Sequence, residues 1–444
     1  MAPRWRAVAA LLLLTLGGSV AYRPLAPPRT RVPRLPPPRL ALASDDGGGR
    51  CPEGALQDLL HAAGLRGTPE GVSELSAGFC NWVYRVDFPG RSPVVAKLFS
   101  PLAKLRLKDP ALRGSGDQAA GERELGPRLL FRSAEGLITE YVQGATLAED
   151  DMHADGSQLP EQIAPRLVAL HALPLERDGA TAAADGATGG GGGGGEAAAP
   201  VPILWPFLDA MLAPLTDAAD ALPAGLTLGR LRDEIARVRA RCDALDLPIV
   251  WGHGDLKPSN VMQLEAGAAG AAGAAGAAGA AGAAGAICFI DFELSGAHYR
   301  GYDLFKLFRT GGEMSRANMR AFLRAYLGEG ADASHRRGRP PLAARDTPLS
   351  PANEGAAGLM LDELEAEANV AEPLTWLEAA VFFMFASALC PSQADRWMPL
   401  ATHRWECYLR SAATIDAGGE ATRTLLEARA RRRQLGRQAP AAGA

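Results

Sequence analysis

The chain has 444 residues, 47% hydrophobic and 22% charged, a composition that argues against an intrinsically disordered protein. Its net charge of −4 and isoelectric point near 6.0 give no support for a nucleic-acid-binding protein. The six cysteines lack the spacing of a metal site, and we predict that most of them are reduced. The length exceeds what one hydrophobic core usually serves, so we expect two lobes with additional segments.

The first 48 residues are predicted to be a targeting leader rather than part of the fold. An apolar run over residues 7–16 follows two arginines and precedes small residues, and it is too short to span a bilayer. Residues 22–44 are then rich in Arg and Pro, and no acid occurs before Asp45. A signal followed by such a stretch resembles the bipartite leaders of plastid proteins in algae with secondary plastids. Plastid delivery is therefore expected, with the secretory pathway or the cytoplasm as alternatives.

Strand patterns come first along the remaining chain, and helical patterns follow. Residues 83–88, 94–99 and 136–142 are typical of β-strands, whereas residues 163–170, 231–245 and 374–389 have helical periodicity. This order predicts an α+β fold with a small β-rich lobe over residues 52–144 and a larger helical lobe over residues 145–425. A basic tail, residues 426–444, is predicted to be a solvated helix end rather than a membrane contact.

Three low-complexity segments, near residues 178–200, 265–286 and 331–358, are predicted to be loop-like inserts. Such compositions bury too little apolar surface to offset their ordering entropy. The middle insert separates strand-like residues 261–264 from strand-like residues 287–290. If it forms the tip of a hairpin, Asn260 and Asp291 lie side by side at the base.

The strongest chemical signal is the segment Trp-Gly-His-Gly-Asp-Leu-Lys-Pro-Ser-Asn at residues 251–260. Its His-x-Asp followed by Asn five residues after the Asp matches a kinase catalytic loop. There, the Asp faces the acceptor hydroxyl and the Asn reaches a metal ion on the phosphates. The apolar segment before Asp291 has the form of the strand that carries the metal-binding Asp. Asp255 is thus the predicted catalytic base, Asn260 and Asp291 are the predicted metal ligands, and the predicted cofactors are ATP and Mg²⁺.

A phosphate-binding surface is predicted in the small lobe. Lys97 lies within a strand, where kinases place a lysine that holds the α and β phosphates. The turn at residues 76–81 is expected to cover the phosphates, and residues 140–142 to form the hinge whose backbone binds adenine. The predicted cofactor-binding residues are Gly78, Asn81, Lys97, Glu140, Val142 and Lys257.

With residues 298–303 (His-Tyr-Arg-Gly-Tyr-Asp), these motifs resemble the choline/ethanolamine kinase family and its aminoglycoside-phosphotransferase relatives. Members of that family have the motif Asp-Phe/Tyr-Glu, followed by Asn-Tyr-Arg-x-Phe-Asp, at this spacing. Residues 400–408 also resemble the last helix of the family, which has the pattern Tyr-Ala-x-x-Arg-x-x-x-Tyr. The resemblance covers about residues 75–409. It implies the two-lobed protein-kinase-like fold and ATP-dependent phosphorylation of a small amino alcohol, ethanolamine or choline, feeding phospholipid synthesis.

The acceptor site departs most from the family pattern. Leu294 stands where a Tyr is usual, and Thr310 falls near an expected acid. Aromatic side chains of the later helices could rebuild a wall that attracts an organic cation, although an apolar core helix is the alternative. The predicted substrate residues are Glu293, Asp303, Trp376, Phe383 and Trp397. The usual helix glutamate that pairs with the small-lobe lysine is also missing, and Asp117, Glu122 or Glu124 are its candidate substitutes.

Three other functions stay open at this point. A protein kinase is suggested by the Asp-Leu-Lys-Pro-x-Asn motif. However, Glu293 stands in place of the Gly in the Asp-Phe-Gly motif of protein kinases, and no Ala-Pro-Glu follows. A kinase of another small alcohol or amino sugar, and a nucleotide-binding pseudokinase scaffold, are the others. We expect a small-molecule partner, no nucleic acid and no stable membrane span, and the sequence predicts no oligomeric state.

Overall fold

The computed structural model describes residues 51, 54–76, 80–107, 109–154, 157–175, 200–265, 285–309, 315–334 and 351–438. The predicted leader, Gly78, Thr310 and the last six residues of the predicted tail lie outside the described residues. The three predicted inserts are described only at their edges. The third is helical at both edges, over residues 331–334 and 351–358, which corrects the prediction of a loop there. A proline at 351 suits a helix start, because the first turn needs no N–H from it.

The small lobe is built on one antiparallel sheet with strand order β1-β2-β3-β5-β4. Its strands are β1 (Gly71–Ser76), β2 (Asn81–Asp87), β3 (Val94–Phe99), β4 (Leu129–Arg132) and β5 (Gly136–Glu140). The three strands predicted from the sequence are confirmed as β2, β3 and β5. Three helices accompany the sheet: α1 (Ala55–Ala62), α2 (Pro101–Arg106) and α3 (Ser115–Gly121).

Strand β3 lies in the middle of this sheet, paired with β2 on one side and β5 on the other. Five of its six residues are buried, because α1 covers one face and the large lobe lies against the other. Lys97 is among the buried five, so this strand places a charged group inside the protein. Such a group requires a partner, which lies in the large lobe.

The large lobe is mainly helical. Its helices are α4 (Leu159–His171), α5 (Leu204–Leu212), α6 (Leu228–Leu245), α7 (Arg300–Lys306), α8 (Arg316–Ser334), α9 (Pro351–Val370), α10 (Glu372–Leu389), α11 (Ala394–Ser411) and α12 (Glu420–Gln438). The three predicted helical segments are confirmed within α4, α6 and α10. Among the described residues, the stretch Ala357–Leu389 has the length and composition of a membrane span, but 89% of its most apolar window is buried in the protein. A helix that is apolar all round forms a lobe core in this way.

Two short sheets connect the helices with the catalytic segments. Strand β7 (Ile249–Gly252) pairs with β10 (Gly296–Tyr299), and β8 (Val261–Leu264) lies between β6 (Gly144–Thr146) and β9 (Ile287–Phe289). The β8–β9 pair confirms the predicted hairpin, since Val261 is opposite Phe289 and Gln263 is opposite Ile287. At its base, the N–H of Ile290 donates to the carbonyl of Asn260 at 3.0 Å. The two predicted metal ligands are thus neighbours.

We expect that replacing residues 266–284 by a short Asn-Gly turn leaves activity and stability almost unchanged. The ladder already closes on either side of this segment, with backbone bonds of 2.8 and 3.0 Å that join Leu264 to Ala286 and Gly285. Loop closure depends weakly on length, so the free energy of unfolding should change by no more than about 2 kcal/mol. Thermal denaturation and ADP release, measured beside the full-length chain, check this. An unfolded product would contradict the role of the tract as an insert.

Candidate active site

The catalytic loop begins at the end of β7 and is held from below by Asp303. The backbone N–H groups of His253 and Gly254 donate to the two carboxylate oxygens of Asp303, at 2.6 and 2.9 Å. Asp303 is 0% exposed, and a ring nitrogen of His171 lies 3.3 Å from it. Burial works against the ionised carboxylate, but the hydrogen bond with His171 helps to lower the pKa of Asp303 to about 2. The prediction that Asp303 contacts substrate is therefore wrong, because this residue holds the loop beneath the site.

Gly254 explains why the motif needs a glycine before the Asp. Its φ of +77° lies in the left-handed region, and a Cβ there would approach the carbonyl oxygen of Leu294 to 2.2 Å. The preceding His253 is buried, with its Nε2 atom 3.0 Å from the carbonyl oxygen of Ile290. The catalytic loop is therefore packed directly on the segment that carries Asp291.

Asp255 is the centre of the site, and both of its carboxylate oxygens are bonded. Oδ1 lies 2.9 Å from the ammonium of Lys306, and Oδ2 lies 3.1 Å from that of Lys257. The side-chain amide of Asn260 also donates to Oδ2 at 3.1 Å. Burial would raise the pKa of Asp255, but the two ammonium groups outweigh it and hold that pKa well below its usual range. The carboxylate is therefore ionised, and both of its oxygens are held by donors.

Lys306 is a site residue that sequence reasoning missed. It ends α7 one turn after Asp303, its side chain is 2% exposed, and its ammonium also donates to the carbonyl oxygen of Gly254 at 2.9 Å. The signal was present in the sequence as a single lysine within the otherwise apolar run after Asp303. A lysine in such a run needs a buried acid as its partner.

The second cluster joins the two lobes around Lys97. Its ammonium contacts the carboxylate of Asp291 directly and lies 3.6 Å from that of Glu293. Burial disfavours the charged lysine, but these two acids outweigh it and raise the pKa of Lys97. The pKa of Asp291 is lowered in spite of its burial because Lys97 pairs with it, whereas burial and the charge of Asp291 raise the pKa of Glu293. The predicted phosphate lysine and metal aspartate are thus brought together, with Glu293 beside them, and its predicted contact with substrate stays a prediction.

The acid on the small-lobe helix that acts on Lys97 is Asp117 in α3. Its side chain is buried, burial raises its pKa, and its charge contributes to the raised pKa of Lys97. Of the other two candidates, Glu122 is exposed and accepts from Gln118 at 2.9 Å. Glu124 has a φ of +58° in the turn after α3. The structure therefore favours Asp117 among the three acids that the sequence offered.

The donor set at the hairpin base suits Mg²⁺. Asp291 supplies a carboxylate and Asn260 an amide oxygen, and Mg²⁺ usually takes one or two protein oxygens together with phosphates and water. Among the described residues, no cluster of three or more His, Cys, Asp or Glu side chains could hold a metal by itself. The residues therefore fit an ion that binds with a nucleotide better than a dedicated protein cage.

The remaining predicted nucleotide residues lie where the lobes meet. Glu140 ends β5, its carboxylate accepts from Arg128 at 2.8 Å, and the chain continues through Val142 into β6, which pairs with β8 of the large lobe. This connection is consistent with the predicted hinge. The side chain of Asn81 is buried, donates to Glu293 and accepts from the N–H of Ser100 at 3.3 Å, so it supports the Lys97 cluster.

The aromatic side chains predicted to line the substrate site pack against arginines and against each other. Trp376 is covered by two guanidinium groups, those of Arg309 and Arg404, at 4.8 and 5.1 Å from its ring centre. Phe383 and Trp397 stack on each other at 6.1 Å, and Trp397 is 3% exposed. The structure therefore connects Trp376 with arginine side chains and assigns Trp397 to the core around α10.

Glu149 is a second residue that the sequence analysis did not identify. It opens a short 3₁₀ turn, Glu149–Met152, that contacts the turn at Pro258–Asn260 in the catalytic loop. Its Oε2 atom is buried without a hydrogen-bond partner among the described residues. Burial raises its pKa, while Lys257, Arg309 and Arg404 act in the opposite direction. A buried oxygen without a partner can accept a hydrogen bond from an N–H group of a bound ligand.

The chain is similar to several known proteins. The sequence model of the choline/ethanolamine kinase family matches residues 72–319. An ethanolamine kinase from Drosophila melanogaster is 25% identical over 187 residues, which are 40% of this chain and 30% of that protein. This chain therefore spans less than a third of the length of that curated relative.

Two solved structures are similar to this fold. An ethanolamine kinase from Plasmodium vivax has a TM-score of 0.51 and 16% identity over 78% of this chain and 83% of its own. A choline kinase from Cryptosporidium parvum has a TM-score of 0.51 and 14% identity over 80% of this chain and 93% of its own. These likenesses concern the fold, and they confirm the predicted two-lobed α+β architecture.

Proposed function

Since the chain belongs to the choline/ethanolamine kinase family, we propose that it transfers the γ-phosphoryl group of ATP to the hydroxyl of a small amino alcohol, with ethanolamine preferred. The family supports a phosphotransferase that acts on a small-molecule alcohol. The observation that carries the proposal is the convergence of an ionised Asp255 with the Lys97–Asp291 pair at the junction of the lobes. A role in phospholipid synthesis follows as part of the proposal.

In the proposed mechanism, Asp255 accepts the proton of the acceptor hydroxyl as the oxygen attacks the γ-phosphorus. Oδ1 stays on Lys306, and Oδ2, which Lys257 and Asn260 share in the structure, would accept the hydroxyl once Lys257 moves away from it. Lys257, 3.1 Å from Oδ2, is long enough to exchange this contact for a phosphate oxygen. As the acceptor oxygen bonds to the γ-phosphorus, the bond from that phosphorus to the β,γ-bridging oxygen breaks and ADP leaves. The phosphoryl group is then on the acceptor and the proton is on Asp255, so no covalent enzyme intermediate is needed.

Lys97 is the residue for the nucleotide phosphates, and Asp291 with Asn260 would hold Mg²⁺. When bound, that ion supplies electrostatic stabilisation of the phosphate charge, which is the main source of rate in phosphoryl transfer. In the structure described, the ammonium of Lys97 is neutralised by Asp291 and Glu293. If Asp291 held that ion, the ammonium of Lys97 would be less fully neutralised and could act on the nucleotide phosphates.

The acceptor environment favours a primary ammonium over a quaternary one. A quaternary ammonium needs open aromatic faces, but two guanidinium groups already lie over Trp376. A primary ammonium needs hydrogen-bond acceptors instead, and the buried Oε2 atom of Glu149 beside the catalytic loop is one. Glu149 thus replaces Glu293 and Asp303 as the carboxylate that we assign to the amino group.

We expect kcat/KM for ethanolamine to equal or exceed that for choline, measured as ADP release with saturating ATP-Mg²⁺. Glu149→Gln should raise the KM for ethanolamine about tenfold or more, since one charge-assisted hydrogen bond is lost, and should leave the KM for ATP nearly unchanged. Glu161→Gln, at an exposed position in the next helix, is the matched control. A clear preference for choline would contradict the assignment of Glu149.

A second acceptor class is favoured by one observation. The Nε atoms of Arg309 and Arg404 are buried without a hydrogen-bond partner among the described residues. Guanidinium groups with open donors suit a carboxylate or phosphate. The acceptor panel should therefore include a zwitterionic hydroxy amino acid and an uncharged sugar. Turnover of either, with no turnover of ethanolamine or choline, would replace the amino-alcohol proposal and keep the kinase.

A further inference from the structure

A line of buried charged side chains runs from the small lobe to the catalytic loop. Arg106, the last residue of α2, contacts one carboxylate oxygen of Glu378 in α10. The other oxygen of Glu378 lies 3.5 Å from the ammonium of Lys306, which in turn lies 2.9 Å from Oδ1 of Asp255. The side chains of Arg106, Glu378 and Lys306 are at most 7% exposed. Burying so many charges is costly, and this arrangement alternates their sign at each step.

The first members of this line are also packed in place. The guanidinium of Arg106 lies 5.0 Å from the ring centre of Phe382 and 5.6 Å from that of Phe207. The hydroxyl of Tyr302 donates to Glu378 at 3.4 Å. Burial opposes ionisation of Glu378, but Lys306 and Arg106 outweigh it and lower its pKa. Glu378 therefore stays anionic and can hold both cations.

We propose that Lys306 is a positioning residue for phosphoryl transfer, which fixes one oxygen of Asp255 and connects it through Glu378 to Arg106 in the small lobe. The proposal rests on the proposed function only in taking Asp255 as the proton acceptor. Lys306 holds Oδ1, whereas Oδ2 is shared by Lys257 and Asn260, so the acceptor hydroxyl would take the place of Lys257 at Oδ2. Since α2 follows the strand that carries Lys97, the line connects Asp255 to the small-lobe segment after that strand.

The test is the steady-state kinetics of Lys306→Met, which keeps the length of the side chain and removes its charge. We expect kcat to fall by at least about a hundredfold, because Asp255 loses the contact that fixes Oδ1, while the KM for ATP changes less than about threefold. Lys306→Arg should restore part of kcat, since it returns a cation to the same place. Lys104→Met, in the same small-lobe helix as Arg106 and paired with Glu135 at the surface, is the control.

A rise in the KM for ATP that matches the fall in kcat, or no recovery of kcat in Lys306→Arg, would overturn the proposal and leave Lys306 as a packing residue. Glu378→Gln covers the case in which Lys306→Met does not fold. It removes the anion that orients Lys306, so a smaller fall in kcat is expected, and an unchanged kcat would contradict the proposal. If the wild type phosphorylates no alcohol of the panel, the proposed function fails, whereas a wild-type kcat that both variants keep overturns this proposal alone.

Discussion

Asp255→Asn is expected to lower kcat by about 10²–10⁴-fold, because a positioned base contributes on that scale. Asparagine has nearly the shape of aspartate but cannot accept the hydroxyl proton. The fold should survive, because the buried ammonium of Lys306 still has two partners in this variant. These are the carbonyl oxygen of Gly254 at 2.9 Å and the carboxylate of Glu378 at 3.5 Å. The nucleotide site is formed by other residues, so the affinity for ATP-Mg²⁺ should be nearly unchanged.

The measurement is steady-state ADP release with ethanolamine, together with calorimetric ATP binding and thermal denaturation. Asp150→Asn is a suitable control, since Asp150 is exposed in the neighbouring 3₁₀ turn. Phosphorylation of any acceptor at a near-native rate by the Asp255 variant would remove this residue from the catalytic role. Loss of folding would show instead that the Lys306 pair is required for stability.

Asp291→Ala is expected to lose both turnover and most of the Mg²⁺-dependent part of nucleotide binding. The variant removes the only carboxylate of the predicted ligand pair and also the direct partner of Lys97. The ammonium of Lys97 still has the carboxylate of Glu293 at 3.6 Å in this variant. The charged contact between the two lobes is therefore weakened but not lost. The backbone also changes its preference here, because Asp291 has a φ of +69°, a conformation that aspartate and asparagine tolerate better than alanine.

Asp291→Asn separates these two effects. It accepts the same backbone conformation, keeps an oxygen ligand and removes only the charge. Titration of ATP by calorimetry, with and without Mg²⁺, should show a smaller loss of affinity for the asparagine variant than for alanine. An unchanged affinity for ATP-Mg²⁺ in the alanine variant would show that Asp291 does not hold the metal.

The sequence alone determined the parts of the site that are local in the chain. Asp255 and Asn260 are five residues apart in one loop, so the two side chains stay close in the fold, and the amide donates to the carboxylate at 3.1 Å. The hairpin that brings Asp291 to Asn260 was also predictable, because two apolar strands flanking a low-complexity segment have one simple way to pair. The order of strands followed by helices along the chain was enough to predict the two-lobed fold.

Only the tertiary structure decided which charges face each other across the fold. Asp303 and Lys306 are one helical turn apart, yet one holds backbone N–H groups under the loop and the other holds the base. A pattern of residue types does not show this, since the role of a buried charge depends on which opposite charge lies within about 4 Å of it. The arginines over Trp376 are a second case, because they come from α11 and from the segment after α7. Long-range packing therefore set which charges surround Asp255 and Trp376, whereas the local sequence set which reactive groups the loop carries.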